Sequence, residues 1–315
     1  MLLARTADTL FWLARYVERA ENTARILDAA ARLSSLPAGY GGSSNEWTSA
    51  VAATGGLELF KELYGDDESH HAVIDFLAFS PANPSSIRNC IEIARSNARA
   101  VRTALTAEMW DSINSAWLEL KQFQSQGLTR PRLNELLGFV KEASLRFDGS
   151  AYRTMLRNDA YYFMRLGSFL ERADATARIL DVKYHLLLPE GEPVGGSLDY
   201  FQWSSILRSV SALTAYHWVY RQNLRPWLVA DLLILRREMP RSLASCCENV
   251  TRFLDEIARD YGQQGPSQRV ARATFARLQN TDIDTVYADG LHEFLLSIIA
   301  DNNRLGAAIA DQYLS

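Results

Sequence analysis

Cysteine is scarce in this chain of 315 residues, and so is lysine. The three cysteines, Cys90, Cys246 and Cys247, do not have the C-x-x-C spacing that is typical of zinc and redox sites. They lie within apolar helical patterns, which predicts small buried side chains in a reducing compartment, the cytoplasm. Only four of the 33 basic residues are lysines. Arginine, which suits bidentate pairing with carboxylates, therefore supplies most of the positive charge.

Long apolar runs and a surplus of either charge are also missing. No run approaches the ~18 residues of a membrane span, so we expect no membrane segment. The apolar N-terminus is interrupted by Arg5, Asp8, Arg15 and Glu18 and has no small-residue cleavage site, so we expect no export signal. A net charge of -4, with the basic residues interspersed among acids, argues against nucleic-acid binding.

The motifs of common enzyme classes are absent from the sequence as well. It has no G-x-S-x-G nucleophile elbow, no phosphate-binding loop, no glycine-rich dinucleotide turn and no zinc-ligand spacing. We therefore expect no bound cofactor. No alternating β-branched run bounded by turn residues occurs either, so strand content should be near zero.

What the chain does contain is an internal repeat. Residues 18–28, ERAENTARILD, align with residues 171–181, ERADATARILD, at an offset of 153, and nine of the eleven positions are identical. After three inserted residues the offset becomes 156 and holds from residue 47 to 92, with eleven identities. A duplication of this kind organises the whole fold. We therefore predict two helical repeats, at 1–150 and 151–315, that form one compact unit.

The spacing of apolar residues and breakers predicts an all-α fold, a helical bundle built from two pseudo-symmetric repeats. Asn83 should cap one helix, with Pro84 at its first position. Loops are expected at 37–42 and 189–196. The predicted helices are 8–34, 45–64, 70–79, 83–104, 106–125, 130–147, 155–187, 200–222, 226–236, 240–262, 266–278 and 285–312.

The helix that carries the first Glu-Arg pair places acids on or beside its apolar face. With a rotation of 100° per residue, Glu21 falls inside the face centred on Val17, and Glu18 and Arg25 lie at its edge. The second copy repeats the pattern. Asp174 lies within the face and Glu171 lies beside Arg178.

A carboxylate on such a face must be paired, metal-bound or protonated, because an unpaired buried charge is too costly. One interpretation is an internal ion-pair network that joins the two halves, with Glu21 bound to Arg25 and Glu18 bound to Arg25 or Arg15. The other is an acidic, arginine-lined cavity for a cation or a charged small molecule. A di-iron site would normally add E-x-x-H, which is absent, whereas hard ions such as Mg²⁺ remain an option. The candidate ligand-binding residues are Glu18, Arg19, Glu21, Arg25, Glu171, Arg172, Asp174 and Arg178.

The stretch ARTADTLFWLARYVERAENTARILD, with the later FLERADATARILDV and NPSSIRNC, resembles the bacterial alpha-E family, a helical family named for its Glu-Arg motif. The likeness covers essentially the whole chain. Glu18-Arg19 and Glu171-Arg172 are the two Glu-Arg pairs that match. The resemblance brings no established activity with it.

The resemblance does imply partners. Such proteins are typically encoded beside, or fused to, circularly permuted ATP-grasp ligase-like proteins, often with transglutaminase-like peptidases nearby. We therefore expect a non-catalytic helical partner of an ATP-grasp protein in a peptide- or amide-bond-forming system. The alternative is an enzyme that uses the acidic residues as acid/base groups or Mg²⁺ ligands and the arginines to grip an anion. Whether the chain forms a homo-oligomer stays open.

Overall fold

The computed structural model describes residues 2–35, 46–185 and 196–315, and within these ranges it contains helices and no strand. The predicted loops lie outside the described residues, apart from Gly196. The all-α prediction is confirmed. The helices are α1 Ala4–Leu33, α2 Glu46–Thr54, α3 Leu57–Tyr64, α4 His70–Ile74, α5 Ile87–Ala100, α6 Ala107–Leu120, α7 Arg130–Thr154, α8 Asp159–His185, α9 Ser197–Ser209, α10 Leu213–Tyr220, α11 Pro226–Ile234, α12 Leu243–Tyr261, α13 Pro266–Gln279, α14 Ile283–Asp289 and α15 Leu291–Ile309.

Two long helices, α1 and α8, lie side by side at the centre of the bundle. Helices α5 and α7 pack on α1, and α6 bridges them; α12 and α15 pack on α8, and α13 bridges those. One hydrophobic core runs through both groups. The arrangement explains why both central helices are buried around much of their circumference. A pseudo-twofold relation between the halves, and their division at residue 150, stay predictions.

At one point, the backbones of α1 and α8 are in direct contact. A Cβ added to Gly167 would collide with the carbonyl oxygen of Phe11. Only glycine therefore lets α8 come this close to α1. The two Glu-Arg pairs lie further along both helices, with Glu171 one turn after Gly167 and Glu18 two turns after Phe11. This contact brings the pairs within side-chain reach of each other.

Three predicted helices are in fact pairs of helices. The segments predicted at 45–64, 200–222 and 285–312 are interrupted at Gly55, Ser211 and Gly290, where φ is 75°, 58° and 99°. A positive φ cannot continue a right-handed helix, and for a residue with a Cβ it carries a steric cost. Gly55 and Ser211 occupy aligned positions of the sequence repeat.

The predicted cap of the helix after residue 83 is also corrected. Helix α5 begins at Ile87, and the Ser86 hydroxyl oxygen accepts a hydrogen bond from the Asn89 N–H at 3.3 Å. Asn83 instead donates its side-chain amide to the Phe76 carbonyl oxygen at 3.0 Å, and Pro84 lies in the preceding turn. Serine can satisfy a helix terminus as well as asparagine, and the Asn83 side chain is engaged by the Phe76 carbonyl oxygen instead.

The three cysteines are buried and unbridged, as predicted. Burial raises the pKa of the Cys90 and Cys246 thiols to about 12, because a thiolate is poorly solvated in the core. Of the helices in the described ranges, none is both long and apolar enough to cross a membrane.

Candidate functional site

Each Glu-Arg pair binds the other across the contact between α1 and α8. Glu18 accepts hydrogen bonds from Nε and Nη2 of Arg172 at 2.9 and 2.7 Å. Glu171 accepts from Nε and Nη2 of Arg19 at 2.6 and 3.0 Å. Both contacts are bidentate, the strongest geometry available to an arginine and a carboxylate. The two pairs therefore form a reciprocal clamp between the central helices.

Each glutamate of the clamp has a second arginine, and the two come from different places. Arg15, on α1, donates to Glu171 at 2.7 Å. Arg241, just before α12, donates to Glu18 at 3.1 Å. The predicted bonding of Glu18 to Arg15 or Arg25 is therefore wrong, because the helix crossing turns Glu18 towards α8 and α12 and Arg15 towards Glu171.

Glu21 is completely enclosed by donors. Its carboxylate accepts from Arg25 Nε at 2.8 Å, which confirms the predicted pairing one turn along the helix. Arg241 Nη2 donates to the same oxygen as Arg25, and the Ser144 hydroxyl donates to the other oxygen at 2.6 Å. Only 2% of the Glu21 side chain is exposed. We call Glu18, Glu21, Arg25, Arg172 and Arg241 the closed cluster.

Asp174 occupies the position aligned with Glu21 and has fewer partners. Within the described residues, only Arg178 donates to it, from Nε at 2.6 Å and Nη2 at 3.4 Å. Arg178 Nη1 also donates to the Ala53 carbonyl oxygen at 3.4 Å. The Asp174 side chain is 15% exposed. We call Glu171, Asp174, Arg178 and Arg19 the open cluster.

The open cluster borders a pocket of about 210 Å³. Helices α1 and α8 supply most of its wall, and the end of α2 and the turn before α5 complete it. The lining residues are Arg19, Asn22, Thr23, Thr54, Ser85, Glu171, Asp174 and Arg178. All eight predicted candidate residues thus lie in the two clusters, four in each, and four of the eight line the pocket.

Burial and neighbouring charges shift the pKa values of the clamp residues in opposite directions. Burial alone would raise the pKa of Glu18, but Arg172 and Arg241 outweigh it and hold the pKa well below its usual value. Glu171 follows the same pattern, with burial opposed by Arg19 and Arg15 and a lowered pKa. Burial lowers the pKa of Arg19 and of Arg172, but the facing glutamates raise both above the ordinary value. All four groups are therefore charged near neutrality.

The clusters offer little to a metal ion. No group of three or more His, Cys, Asp or Glu side chains suitable for one occurs in the part of the chain that the structure describes. Each candidate carboxylate already accepts from an arginine, whose positive charge opposes a divalent cation. The open cluster, which borders the pocket, therefore suits a charged organic group better than Mg²⁺.

Sequence reasoning missed four residues that belong to these clusters, contact them or line the pocket: Arg241, Ser85, Asn22 and Ser144. Arg241 and Ser85 stand at aligned positions of the repeat, and that mismatch of an arginine with a serine was the available signal. Asn22 likewise differs from its aligned residue, Ala175. Ser144 carried no signal, because nothing in the spacing of α7 shows that it faces Glu21.

Of three comparisons with known proteins, one identifies a family. No curated protein and no solved structure matches the chain. A family model does match, over residues 2–314, and its description is a predicted alpha-helical domain with a conserved ER motif. Since that match spans nearly every residue, the chain belongs to the Alpha-E family.

Proposed function

We propose that this protein is a non-catalytic helical partner of a circularly permuted ATP-grasp ligase-like protein, working in the bacterial cytoplasm in a peptide- or amide-bond-forming system. The observation that supports this most is the reciprocal clamp. Glu18 and Glu171 accept hydrogen bonds from arginines of the facing helix, and this arrangement suits a role in holding α1 against α8. A transglutaminase-like peptidase is a second candidate partner.

The surface of α9 to α11 suits a protein partner. Trp218 is 73% exposed and Trp227 is 45% exposed, and Tyr200 and Phe201 are exposed on the neighbouring α9. Large aromatic side chains dominate the energy of many protein interfaces. The positions aligned with Trp218 and Trp227 in the first half hold Glu62 and His71, so the docking face belongs to the second half.

The test is binding of this chain to a purified circularly permuted ATP-grasp ligase-like protein. We expect a stable complex, and the double variant Trp218→Ala, Trp227→Ala should weaken it about 30-fold or more, as for interface residues worth about 2 kcal/mol or more. Tyr152→Ala, which removes an exposed aromatic ring from α7, is the matched control and should leave affinity unchanged. No complex with the unmodified chain would refute the proposal, and unchanged affinity of the double variant would refute the docking face.

The alternative is an enzyme that acts in the arginine-lined pocket, and the partial exposure of Asp174 favours it. In that case Asp174→Asn should keep the fold and abolish turnover by the reconstituted system while leaving complex formation intact. If the variant retains both turnover and complex, the enzyme alternative fails. If it unfolds, the pair of Asp174 with Arg178 is structural.

A further inference from the structure

The closed cluster contains an arginine, Arg241, that has no counterpart in the open cluster. Arg241 places its guanidinium between Glu18 and Glu21, where it donates to both carboxylates. The positions aligned with these glutamates are Glu171 and Asp174. The position aligned with Arg241 is Ser85, which lines the pocket. The pocket therefore lies where the other half holds an arginine side chain.

Free acceptors remain in the pocket because of this difference. Glu171 is already satisfied by Arg19 and Arg15. Asp174 has one arginine, Arg178, whereas Glu21 has two arginines and a serine hydroxyl. A carboxylate has about four acceptor positions, so Asp174 can accept further N–H groups.

Asn22 adds an independent observation. Its side chain is 8% exposed, and no described residue donates to its amide oxygen. A buried acceptor without a donor is costly, and such atoms are rare in folded proteins. Asn22 lines the pocket, and no hydrogen bond to that oxygen holds the amide in one orientation. The residue aligned with Asn22 in the second half is Ala175, which has no side-chain oxygen.

We propose that this pocket binds the alkylguanidinium group of a small molecule. The guanidinium donates to Asp174 and to the Asn22 amide oxygen, as the Arg241 guanidinium donates to Glu21 and Glu18. A planar fork of N–H donors matches a carboxylate better than a compact ammonium group does. The volume of about 210 Å³ suits a guanidinium with a short alkyl chain, for which agmatine is the probe. This site is separate from the proposed docking face on α9 to α11.

Titration calorimetry with agmatine tests the proposal on the full chain. We expect saturable binding at one site, with n-butylamine at least about tenfold weaker and tetramethylammonium, which has no N–H donor, not binding. Ser85→Arg should fill the pocket as Arg241 fills the closed cluster, with agmatine affinity lowered at least about tenfold and an unchanged or raised melting temperature. Ser96→Arg, at an exposed serine of α5, is the matched control and should bind agmatine normally.

A second variant keeps the test decisive if Ser85→Arg does not fold. Asn22→Ala copies the closed cluster and should weaken agmatine binding about tenfold without loss of the fold. The proposal is overturned if agmatine does not bind below about 10 mM, if tetramethylammonium binds as well as agmatine, or if the folded Ser85→Arg or Asn22→Ala protein binds agmatine unchanged. Complex formation with the ATP-grasp protein is measured separately, so neither proposal depends on the outcome of the other.

Discussion

The closed and open clusters share the reciprocal clamp and carry two carboxylates at aligned positions, Glu18 and Glu21 in one and Glu171 and Asp174 in the other. They differ in where the additional arginine originates. Glu171 takes its second arginine from α1, four residues before Arg19, whereas Glu18 takes Arg241 from the turn before α12. The residue aligned with Arg15 is Ser168, and the residue aligned with Arg241 is Ser85. Neither serine can supply a positive charge. A buried carboxylate needs compensation by positive charge, and any arginine within reach provides it. In the closed cluster, Arg241 also fills the space beside Glu21. In the open cluster, the corresponding space beside Asp174 is a pocket.

Removal of a clamp carboxylate should have the largest effect. Glu18→Gln leaves Arg172 and Arg241 facing a neutral amide in a buried site, and we expect a loss of about 3–5 kcal/mol in the free energy of unfolding. Glu171→Gln should cost a similar amount, measured by urea denaturation. Glu119→Gln, at an exposed position of α6, should stay within about 0.5 kcal/mol. A much smaller loss for Glu171→Gln would show that the two halves of the clamp are not equivalent.

Acid should weaken the same contact. The pKa of Glu18 lies at about 2 in the fold, below the ordinary value of 4.5, so its stabilisation is present above pH 4.5 and is lost as the pH falls towards 2. We expect the stability difference between the unmodified chain and Glu18→Gln to shrink by about 2 kcal/mol as the pH falls from 7 to about 3. Urea denaturation of both proteins from pH 7 to about 3 measures it. A constant difference would mean that Glu18 is not held ionised by its arginines.

The approach of the two central helices can be tested at Gly167, whose aligned residue on α1 is Ala14. Gly167→Ala forces a methyl group against the Phe11 carbonyl oxygen and should lower the free energy of unfolding by about 1–3 kcal/mol. Gly138→Ala is the control, because the added Cβ meets no atom within 4 Å in α7. Thermal denaturation should show that it stabilises by about 0.5–1 kcal/mol. Equal effects of both substitutions would contradict the close contact.

The arginine that distinguishes the clusters can be removed directly. Arg241→Ser copies Ser85, opens a second pocket and deprives Glu18 and Glu21 of one donor each, so we expect a loss of about 2 kcal/mol on urea denaturation. The closed cluster would then border a pocket as the open one does. Arg252→Ser, at an exposed arginine of α12, should change stability by about 0.5 kcal/mol or less. If Arg241→Ser lowers stability no more than Arg252→Ser does, Arg241 does not stabilise the closed cluster.

The smallest expected change in stability comes from replacing Asn22, whose amide oxygen has no donor. Without ligand, Asn22→Ala removes a buried oxygen that lacks a donor, and we expect the free energy of unfolding to rise by up to about 1 kcal/mol. Asn302→Ala is the contrast, because its amide donates to the Leu170 carbonyl oxygen at 2.9 Å. That substitution should destabilise by about 1 kcal/mol or more in the same assay. A comparable loss for Asn22→Ala would show that its amide is satisfied.

Local regularity explains which parts of this structure were predictable. Most helices, the burial of Cys90 and the pairing of Glu21 with Arg25 follow from helical periodicity, since i and i+4 share one face of a helix. The breaks at Ser211 and Gly290 were missed, because apolar spacing continues across them and a single residue with positive φ leaves no pattern. The cap of α5 was misplaced because Asn83 and Ser86 are equally good capping residues on local grounds.

The sequence by itself determined that the chain is helical, that it carries two Glu-Arg motifs and that their acids need positive partners. Tertiary structure alone decided which arginine meets which acid. Glu18 finds Arg172 and Arg241, at 154 and 223 residues' distance, because the crossing of α1 with α8 and the turn before α12 place them there. It also decided that one cluster is filled and the other open. Spacing along a helix fixes which side chains share a face, whereas contacts between helices depend on how those faces pack.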